Sequence, residues 1–327
     1  MNTVSNKYDD VIQAAILAAR KATNPIVIYH AGCVDGFAAA WCFHKMSKET
    51  KDSWGYTYHP GVYGEIPPDC TDRMVYLVDF SYKREVIVDM LNSGATIWLI
   101  DHHKTALEDL AGLEKEYFGF RGYTDLSRSG AMLAWDFLNN IEFDDAGEIE
   151  REVKLGDIEY TEPPTTLAAI QDRDLWKFLL PHTKEINAAL FSYEFDFEIW
   201  DKLMSPEPAE FLRLCNDGIA IGRKHRKDIG TLLPLVQRMV AIGGNCVPVA
   251  NMPHMYASDA GNIMAREFNK GNSFAATYFD TATQRTFSLR STVEGKDVSL
   301  IAKQYGGGGH KNAAGFSVPR NHPLAQF

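Results

Sequence analysis

Cysteine is scarce in this chain, and its spacing excludes two common structural devices. The 327 residues contain no Cys-x-x-Cys pair and only five cysteines: Cys33, Cys42, Cys70, Cys215 and Cys246. An odd number of widely spaced cysteines argues against both a disulfide framework and a structural zinc site. We therefore expect the chain to reside in a reducing compartment, the cytoplasm.

Long apolar runs and an excess of positive charge are also missing. No uninterrupted apolar stretch approaches the ~20 residues that cross a bilayer, so we expect no membrane partner. The net charge is −10, which argues against broad binding to duplex DNA. A short anionic substrate in a local pocket remains compatible with this charge, because carboxylates that bind metal ions also make the sum acidic.

What the chain does have is an alternation of apolar runs and helical patterns. Residues 26–29, 74–78 and 96–100 have the composition of strands buried on both faces, and a helical stretch follows each. This alternation predicts an α/β fold with a mostly parallel sheet and helices on both faces. In such sheets, ligands bind at the carboxyl ends of the strands.

Four clusters of metal-ligand residues follow one another, three of them at predicted strand ends. In chain order they contain His30, Cys33 and Asp35, then Asp79, then Asp101, His102 and His103, then Asp172 and Asp174. Carboxylate oxygens and imidazole nitrogens are the ligands of two-metal hydrolytic centres. Because chance would scatter such residues, their placement supports a single active site.

Plainer interpretations exist for these residues. Asp101 would serve as a helix cap in a polar loop, and His30 as a core histidine. Against this, three polar residues directly after a buried strand are costly to bury without partners. Asp172 and Asp174 would share a face on a strand but not on a helix, so the sequence leaves the choice between them open.

A glycine-rich loop near the C-terminus is the most specific signal. Residues 306–309 are four consecutive glycines, and His310 follows. Such a run is unfavourable to order unless the backbone must approach something closely, and glycine loops bring backbone N–H groups to phosphates. His310 offers a donor to phosphate or a ring that stacks on a base. Arg290, just upstream, offers a planar fork for phosphate or, more plainly, a surface ion pair.

These motifs resemble the DHH phosphoesterase superfamily with its DHH-associated C-terminal domain. Asp101-His102-His103 matches the naming motif, and residues 306–315 match the GGGHxxAAG motif of the second domain. The resemblance covers roughly residues 30–318. Within the superfamily, the chain is most similar to the branch of nanoRNases, pAp phosphatases and dinucleotide phosphodiesterases.

The resemblance implies two Mn²⁺ ions, or Mg²⁺ or another divalent ion, and a role for each motif residue. His30 holds the first metal, Asp79 bridges both, and the second metal is held by Asp35, His102 and Asp172. His103 contacts the scissile phosphate, and Asp101 orients the histidines. The rest of the substrate is held by Arg290, Ser291, His310 and the backbone of Gly307, Gly308 and Gly309.

One position departs from the family pattern. The family has an Asp two residues before the Asp-Gly pair, where this chain has Cys33. A thiolate is a softer ligand that favours Zn²⁺ or Fe²⁺ over Mn²⁺, whereas a neutral thiol does not ligate, and both alternatives are left open. The spacing to Trp176 favours Asp172 over Asp174.

Taken with the resemblance, the sequence predicts a two-domain α/β protein. The expected parts are a mostly parallel-sheet catalytic domain at 1–205, a helical linker at 206–230 and a smaller mixed α/β substrate-binding domain at 231–327 with the GGGGH loop. Hairpins are expected within residues 239–251 and 274–290 of the second domain, from their strand and turn residues.

The expected activity is metal-dependent hydrolysis of very short oligonucleotides, nanoRNA or linear dinucleotides, to 5′-mononucleotides. The alternatives are a pAp 3′-phosphatase, a cyclic-dinucleotide phosphodiesterase, a polyphosphatase or pyrophosphatase, and a nucleotide-binding protein without catalysis. The expected partner is the nucleotide substrate, and a homodimer is left open.

Overall fold

The computed structural model of the chain describes residues 24–49, 55–143, 149–152, 162–268 and 273–327. These residues form two compact units. The first contains the described residues up to 102 together with 109–219, and the second contains 103–108 and 220–327. The domain boundaries predicted from the sequence, at 205 and 231, stay predictions.

The first unit is built on a five-stranded sheet in which every pairing is parallel. Its strands, in the spatial order β2-β1-β3-β4-β5, are β1 (Ile26–His30), β2 (Thr57–Gly61), β3 (Met74–Val78), β4 (Thr96–Asp101) and β5 (Phe120–Thr124). The three strands predicted from apolar runs are β1, β3 and β4, and all three predictions are confirmed.

Helices cover both faces of this sheet. The described helices between residues 34 and 236 are α1 (Val34–Glu49), α2 (Arg84–Asn92), α3 (Lys104–Asp109), α4 (Leu113–Glu116), α5 (Gly130–Asn140), α6 (Thr165–Asp174), α7 (Thr183–Leu190), α8 (Phe197–Met204) and α9 (Pro208–Val236). Of these, α3 groups mostly with the second unit, and α9 belongs to it from residue 220 onward. A two-stranded hairpin, β6 (Ile141–Phe143) and β7 (Ile149–Glu152), follows α5.

Alternate residues of each strand pack into two separate hydrophobic cores. Val27 and Val78 contact the core that contains α1 and α5, whereas Ile28 and Leu77 contact the core that contains α2. This alternation follows from the strand period of two, and it explains why these strands are apolar at every position. The predicted parallel sheet with helices on both faces is confirmed.

The second unit contains a six-stranded mixed sheet in the order β12-β13-β11-β10-β9-β8. Its strands are β8 (Gln237–Ile242), β9 (Asn245–Asn251), β10 (Phe274–Asp280), β11 (Gln284–Ser291), β12 (Gly308–Gly309) and β13 (Ala313–Pro319), and its further helices are α10 (Ala257–Glu267) and α11 (Val298–Lys303). Only the β9–β10 pairing is parallel. Both predicted hairpins, β8–β9 and β10–β11, are confirmed, as is the mixed α/β class.

None of the described helices is both long enough and apolar enough to cross a bilayer.

A buried arginine near the start of β11 forms an ion pair in the second unit. Arg285 is 5% exposed, and its guanidinium carbon lies 4.0 Å from the centroid of the Tyr278 ring. Its Nε donates to Asp280 Oδ1 at 2.7 Å and its Nη2 donates to Oδ2 at 3.0 Å. The bonds from Arg285, and then from Arg320, lower the pKa of Asp280 to about 2. The ionised carboxylate therefore stabilises the fold.

We expect Asp280→Asn to destabilise the second unit by roughly 1 kcal/mol at pH 7, after allowance for solvent screening. Because the folded pKa is depressed, this stabilisation is complete above the unfolded pKa of 3.8 and is lost as the pH falls toward about 2. Amide hydrogen exchange of β10 and β11 should therefore separate variant and wild type more at pH 7 than at pH 3. An equal difference at both pH values would contradict this assignment.

Candidate functional site

The predicted ligand clusters converge at one edge of the first unit's sheet. His30 is the last residue of β1, Asp79 directly follows β3, and Asp101 is the last residue of β4. These three strands are neighbours in a parallel sheet, so their carboxyl ends meet at the same edge.

Two groups of candidate ligands lie at this edge. The ligand atoms of His30, Cys33 and Asp79 all lie within 4.8 Å of one another, and so do those of Asp35, His102 and Asp174. We call them the His30 group and the His102 group. Imidazole and carboxylate in both, with a thiol in the first, form a donor set suited to divalent transition metals.

Asp79 connects the two groups. Its Oδ2 lies 3.6 Å from His30 Nδ1, and its Oδ1 lies 3.1 Å from His102 Nε2. Its carboxylate thus presents one oxygen to each group, the arrangement expected of a ligand that bridges two ions. His102 Nε2 also lies 3.6 Å from Asp174 Oδ2 and 4.0 Å from Asp35 Oδ2.

Helix α5 supports this arrangement through a glycine that sequence reasoning missed. Asp79 has a left-handed backbone, φ 55°, and a Cβ on Gly130 would lie only 2.4 Å from the Asp79 Cβ. Gly130 N and Ala131 N donate to the Asp35 carboxylate at 2.7 and 3.3 Å. The N-terminus of α5 therefore stabilises the Asp35 carboxylate electrostatically, and the missing side chain of Gly130 leaves room for Asp79. The only sequence signal was Ser129-Gly130 ahead of a helical stretch.

The electrostatics of the centre favour a bound cation. Asp35 and Asp79 are each 2% exposed and His102 is 1% exposed. Burial, and then the charges of Asp79 and Asp174, raise the pKa of Asp35 well above its usual range. Like charges that repel in a buried site are relieved by a divalent ion between them. The side chains present therefore fit the metal pair that the sequence resemblance implies.

His102 and Cys33 respond differently to this negative environment. Burial alone would lower the pKa of His102, but the hydrogen bond with Asp79 and the charge of Asp174 outweigh it and raise the pKa to about 10. Burial, and then the charges of Asp79 and Asp35, raise the pKa of the Cys33 thiol well above its usual range. In the metal-free chain, the imidazole is thus protonated and the thiol is neutral.

The structure places Asp174, and not the sequence-favoured Asp172, beside His102. Both residues lie on α6, where positions two apart point in nearly opposite directions. Asp174 faces His102, whereas the Asp172 carboxylate accepts bonds from Leu179 N at 2.9 Å and Leu180 N at 3.0 Å. It also accepts a 2.5 Å bond from Thr183 Oγ1.

Asp172 holds the loop that follows Asp174. Three residues of this loop have left-handed backbones without being glycine: Trp176, Phe178 and His182, with φ of 56°, 52° and 62°. Such conformations persist only where surrounding contacts impose them. The Asp172 carboxylate and its backbone carbonyl, which accepts from Lys177 N and Phe178 N, supply those contacts.

In the second unit, His103 stacks on His310. Their ring centroids are 4.6 Å apart and the ring planes differ by 23°. His103 directly follows His102 in the chain, and both His103 and His310 are half-buried. The structure therefore brings together two residues that the sequence predicted as substrate contacts.

The glycine run is explained in part by close packing within the second unit. A Cβ on Gly307 would lie 2.0 Å from Gly315 O, and one on Gly308 would lie 2.6 Å from Thr105 Oγ1. Gly309 N donates to Thr105 Oγ1 at 2.9 Å. The predicted close approach of the backbone is thus present, but its partners are β13 and Thr105. The Gly309 N–H is already engaged within the protein.

Arg290 and Ser291 differ in what they offer a ligand. The Arg290 guanidinium is half-buried and donates to Leu289 O at 2.8 Å and to Ser258 Oγ at 2.7 Å. Ser291 is 4% exposed, and its hydroxyl donates to Lys296 O and accepts from Asn312 Nδ2, both at 2.8 Å. The Ser291 hydroxyl is thus engaged within the loop scaffold, and its expected substrate contact stays a prediction.

Comparisons with known proteins show what the chain is similar to in sequence and in fold. No protein-family model matches the chain. It is 30% identical over 309 residues to the uncharacterized protein R106 of Acanthamoeba polyphaga mimivirus, covering 89% of this chain and 67% of that protein. A solved DHH domain, described as a member of a family of ribosomal proteins, has a TM-score of 0.55 at 14% identity, covering 98% of this chain and 88% of that one. RecJ from Thermus thermophilus in complex with Mn²⁺ has a TM-score of 0.49 at 17% identity, covering 93% of this chain and 51% of that one.

A pair of conservative substitutions separates the roles of the two α6 carboxylates. Asp172→Asn should lower the free energy of unfolding by about 2 kcal/mol, because three donors lose a charged acceptor. Asp174→Asn should leave the metal-free protein as stable as the wild type but weaken divalent ion binding at least ~10-fold, since a charged ligand is lost.

Thermal unfolding of the metal-free protein and calorimetric titration with Mn²⁺ measure the two effects. Weaker Mn²⁺ binding by a fully stable Asp172→Asn variant would contradict the assignment.

Proposed function

We propose that the chain belongs to the DHH phosphoesterase superfamily and is a metal-dependent phosphodiesterase that hydrolyses very short oligonucleotides to 5′-mononucleotides. The observation that carries this proposal is the position of Asp79, whose two carboxylate oxygens face the His30 group and the His102 group. A shared carboxylate between two ligand groups is the requirement of two-metal hydrolysis.

His30 and Asp79 would hold one ion, and Asp79, Asp35, His102 and Asp174 would hold the other. Mn²⁺ or Mg²⁺ bound there would neutralise the crowded carboxylates, lower the pKa of a water molecule and stabilise charge on the phosphate oxygens. Cys33 Sγ lies within reach of the first position, where a thiol contributes only after losing its proton.

Asp101 acts on the geometry of the centre and does not contact substrate. It is fully buried, and its Oδ1 accepts a hydrogen bond from His102 N at 2.8 Å. The bond fixes the backbone where β4 ends, and with it the direction in which His102 presents Nε2. Such supporting contacts keep a ligand oriented before the ion arrives.

The stacked His103 and His310 supply the proposed phosphate contacts. Each imidazole has a ring nitrogen that can donate to a phosphate oxygen, and stacking fixes both planes. Arg290, whose guanidinium is held by bonds to Leu289 O and Ser258 Oγ, is proposed as a further phosphate contact. Its planar fork suits bidentate binding of phosphate.

The substrate is tested by product analysis after metal-free protein is supplied with Mn²⁺. Linear pApA, pAp, cyclic di-AMP and polyphosphate are offered side by side, and we expect pApA to yield AMP at the highest rate. Faster turnover of pAp, cyclic di-AMP or polyphosphate would replace the proposed substrate with that one. If all four persist with Mn²⁺, Mg²⁺ or Zn²⁺ while pApA binds, the chain is a nucleotide-binding protein without catalysis.

Asp79→Asn should abolish turnover while the protein stays folded. Asparagine is among the residues that adopt the left-handed backbone of position 79, so the substitution removes charge without straining the loop. Loss of the shared ligand should reduce kcat roughly 10³-fold or more, because the entire metal pair depends on it.

Asp217→Asn is the matched control, since Asp217 is a surface carboxylate with a side chain 48% exposed. Circular dichroism verifies the fold of both variants. Near-normal turnover by a folded Asp79→Asn variant would refute the two-metal assignment.

A further inference from the structure

A tyrosine outside the predicted ligand clusters lies against the candidate centre. The Tyr63 ring meets the His30 ring edge-on, with centroids 5.3 Å apart and planes at 71°. Its centroid is also 4.9 Å from that of Phe80, the residue after Asp79. Both neighbours belong to strand ends that form the centre, so Tyr63 borders the His30 group.

The backbone around Tyr63 is a defined turn. Glu65 N donates to Val62 O at 3.1 Å, which places Tyr63 and Gly64 at the two central positions. Gly64 has φ 88°, the value that a type II turn requires at its second central residue. The turn directly follows β2, which pairs with β1 along its whole length. Tyr63 is therefore presented from a fixed position on the sheet.

The turn exposes three apolar side chains beside the candidate centre. Tyr63 is 55% exposed, Val62 is 40% exposed and Ile66 is 89% exposed. Single exposed apolar residues are ordinary, but three within five residues beside a polar centre form a surface suited to a ligand with an apolar face.

The Tyr63 ring contacts His30 and Phe80, yet the residue is 55% exposed. A ring that is supported by neighbouring rings and open to solvent elsewhere resembles the aromatic platforms on which single bases stack.

We propose that Tyr63 is a specificity-determining residue that stacks on the nucleobase next to the phosphate held at the centre. The inference rests on the proposed function and deepens it, because it assigns to the turn the choice of nucleotide substrates over phosphoesters without a base. The His30 group binds the charged part of the substrate, and the turn at residues 62–66 binds the flat part.

Three variants test this assignment. Tyr63→Leu removes the aromatic ring and Tyr63→Phe keeps it. Phe118→Leu is the matched control, because Phe118 is an 89% exposed aromatic residue just before β5, at the sheet edge opposite the candidate centre. Each is assayed for kcat/KM on pApA and on an analogue that lacks the base next to the scissile phosphate. Calorimetric Mn²⁺ titration verifies that the metal groups are intact.

Tyr63→Leu should reduce kcat/KM on pApA roughly 10- to 100-fold, the range that base stacking supplies, and leave the abasic analogue unaffected. Tyr63→Phe and Phe118→Leu should remain within about 3-fold of the wild type on both substrates, since the first keeps the aromatic face and the second removes a ring far from the candidate centre. Equal losses on both substrates would overturn the proposal, and so would an unchanged rate on pApA.

The binding of pApA separates this proposal from the proposed function. If the wild type binds pApA without hydrolysing it, the phosphodiesterase assignment fails. Stacking is then tested by affinity alone: the preference for pApA over the abasic analogue should be smaller in Tyr63→Leu than in the wild type. If the wild type discriminates against the abasic analogue and Tyr63→Leu does so equally, the stacking role is refuted while the activity stands.

Discussion

The structure of the first unit depends on one electrostatic constraint, the crowding of buried carboxylates at the edge of a parallel sheet. Asp35, Asp79 and Asp101 are all nearly inaccessible to solvent, and Asp174 approaches from α6. Burying several negative charges together is unfavourable unless cations or oriented donors compensate. The start of α5 compensates Asp35, and the protonated His102 compensates Asp79. A divalent ion would replace that proton with a larger charge.

Much of this centre was predictable because parallel sheets have a strict rule. Once 26–29, 74–78 and 96–100 are recognised as buried strands, the residues after them must meet at one edge. The sequence did not establish which α6 carboxylate faces the centre, because the direction of each side chain depends on local helix geometry. Asp172 and Asp174 were equally good ligands by composition, and only the extent of α6 decides which one faces His102. Gly130 carried no signal beyond its place after Ser129 ahead of a helical stretch, because its role is the close contact with Asp79, a residue distant in the sequence.

The glycine run shows that one sequence pattern is compatible with more than one close-packed partner. Four glycines predicted a close backbone approach, and the second unit contains it, yet the near atoms belong to Gly315 and Thr105. A glycine run indicates that side chains do not fit at those positions, but it does not identify the neighbouring atoms that leave no room for them. Ser291 is the opposite case, because its hydroxyl type suits a substrate contact while its burial assigns it to Asn312 and Lys296. Hydrogen-bond capacity is readable from the sequence, whereas the partner is fixed by packing.

The two ligand groups are unequal in charge, and Cys33 is the reason. The His102 group combines its imidazole with the carboxylates of Asp35 and Asp174, whereas the His30 group combines an imidazole with a neutral thiol and the shared Asp79. Affinity for a hard divalent ion rises with the number of anionic oxygen ligands. The His102 group is therefore expected to be the tighter position for Mn²⁺ or Mg²⁺. An aspartate at position 33 would add a second carboxylate to the His30 group, so the cysteine would leave this centre with one stronger and one weaker position for such an ion. A softer ion such as Zn²⁺ would reverse the difference, because it lowers the pKa of a thiol that it binds.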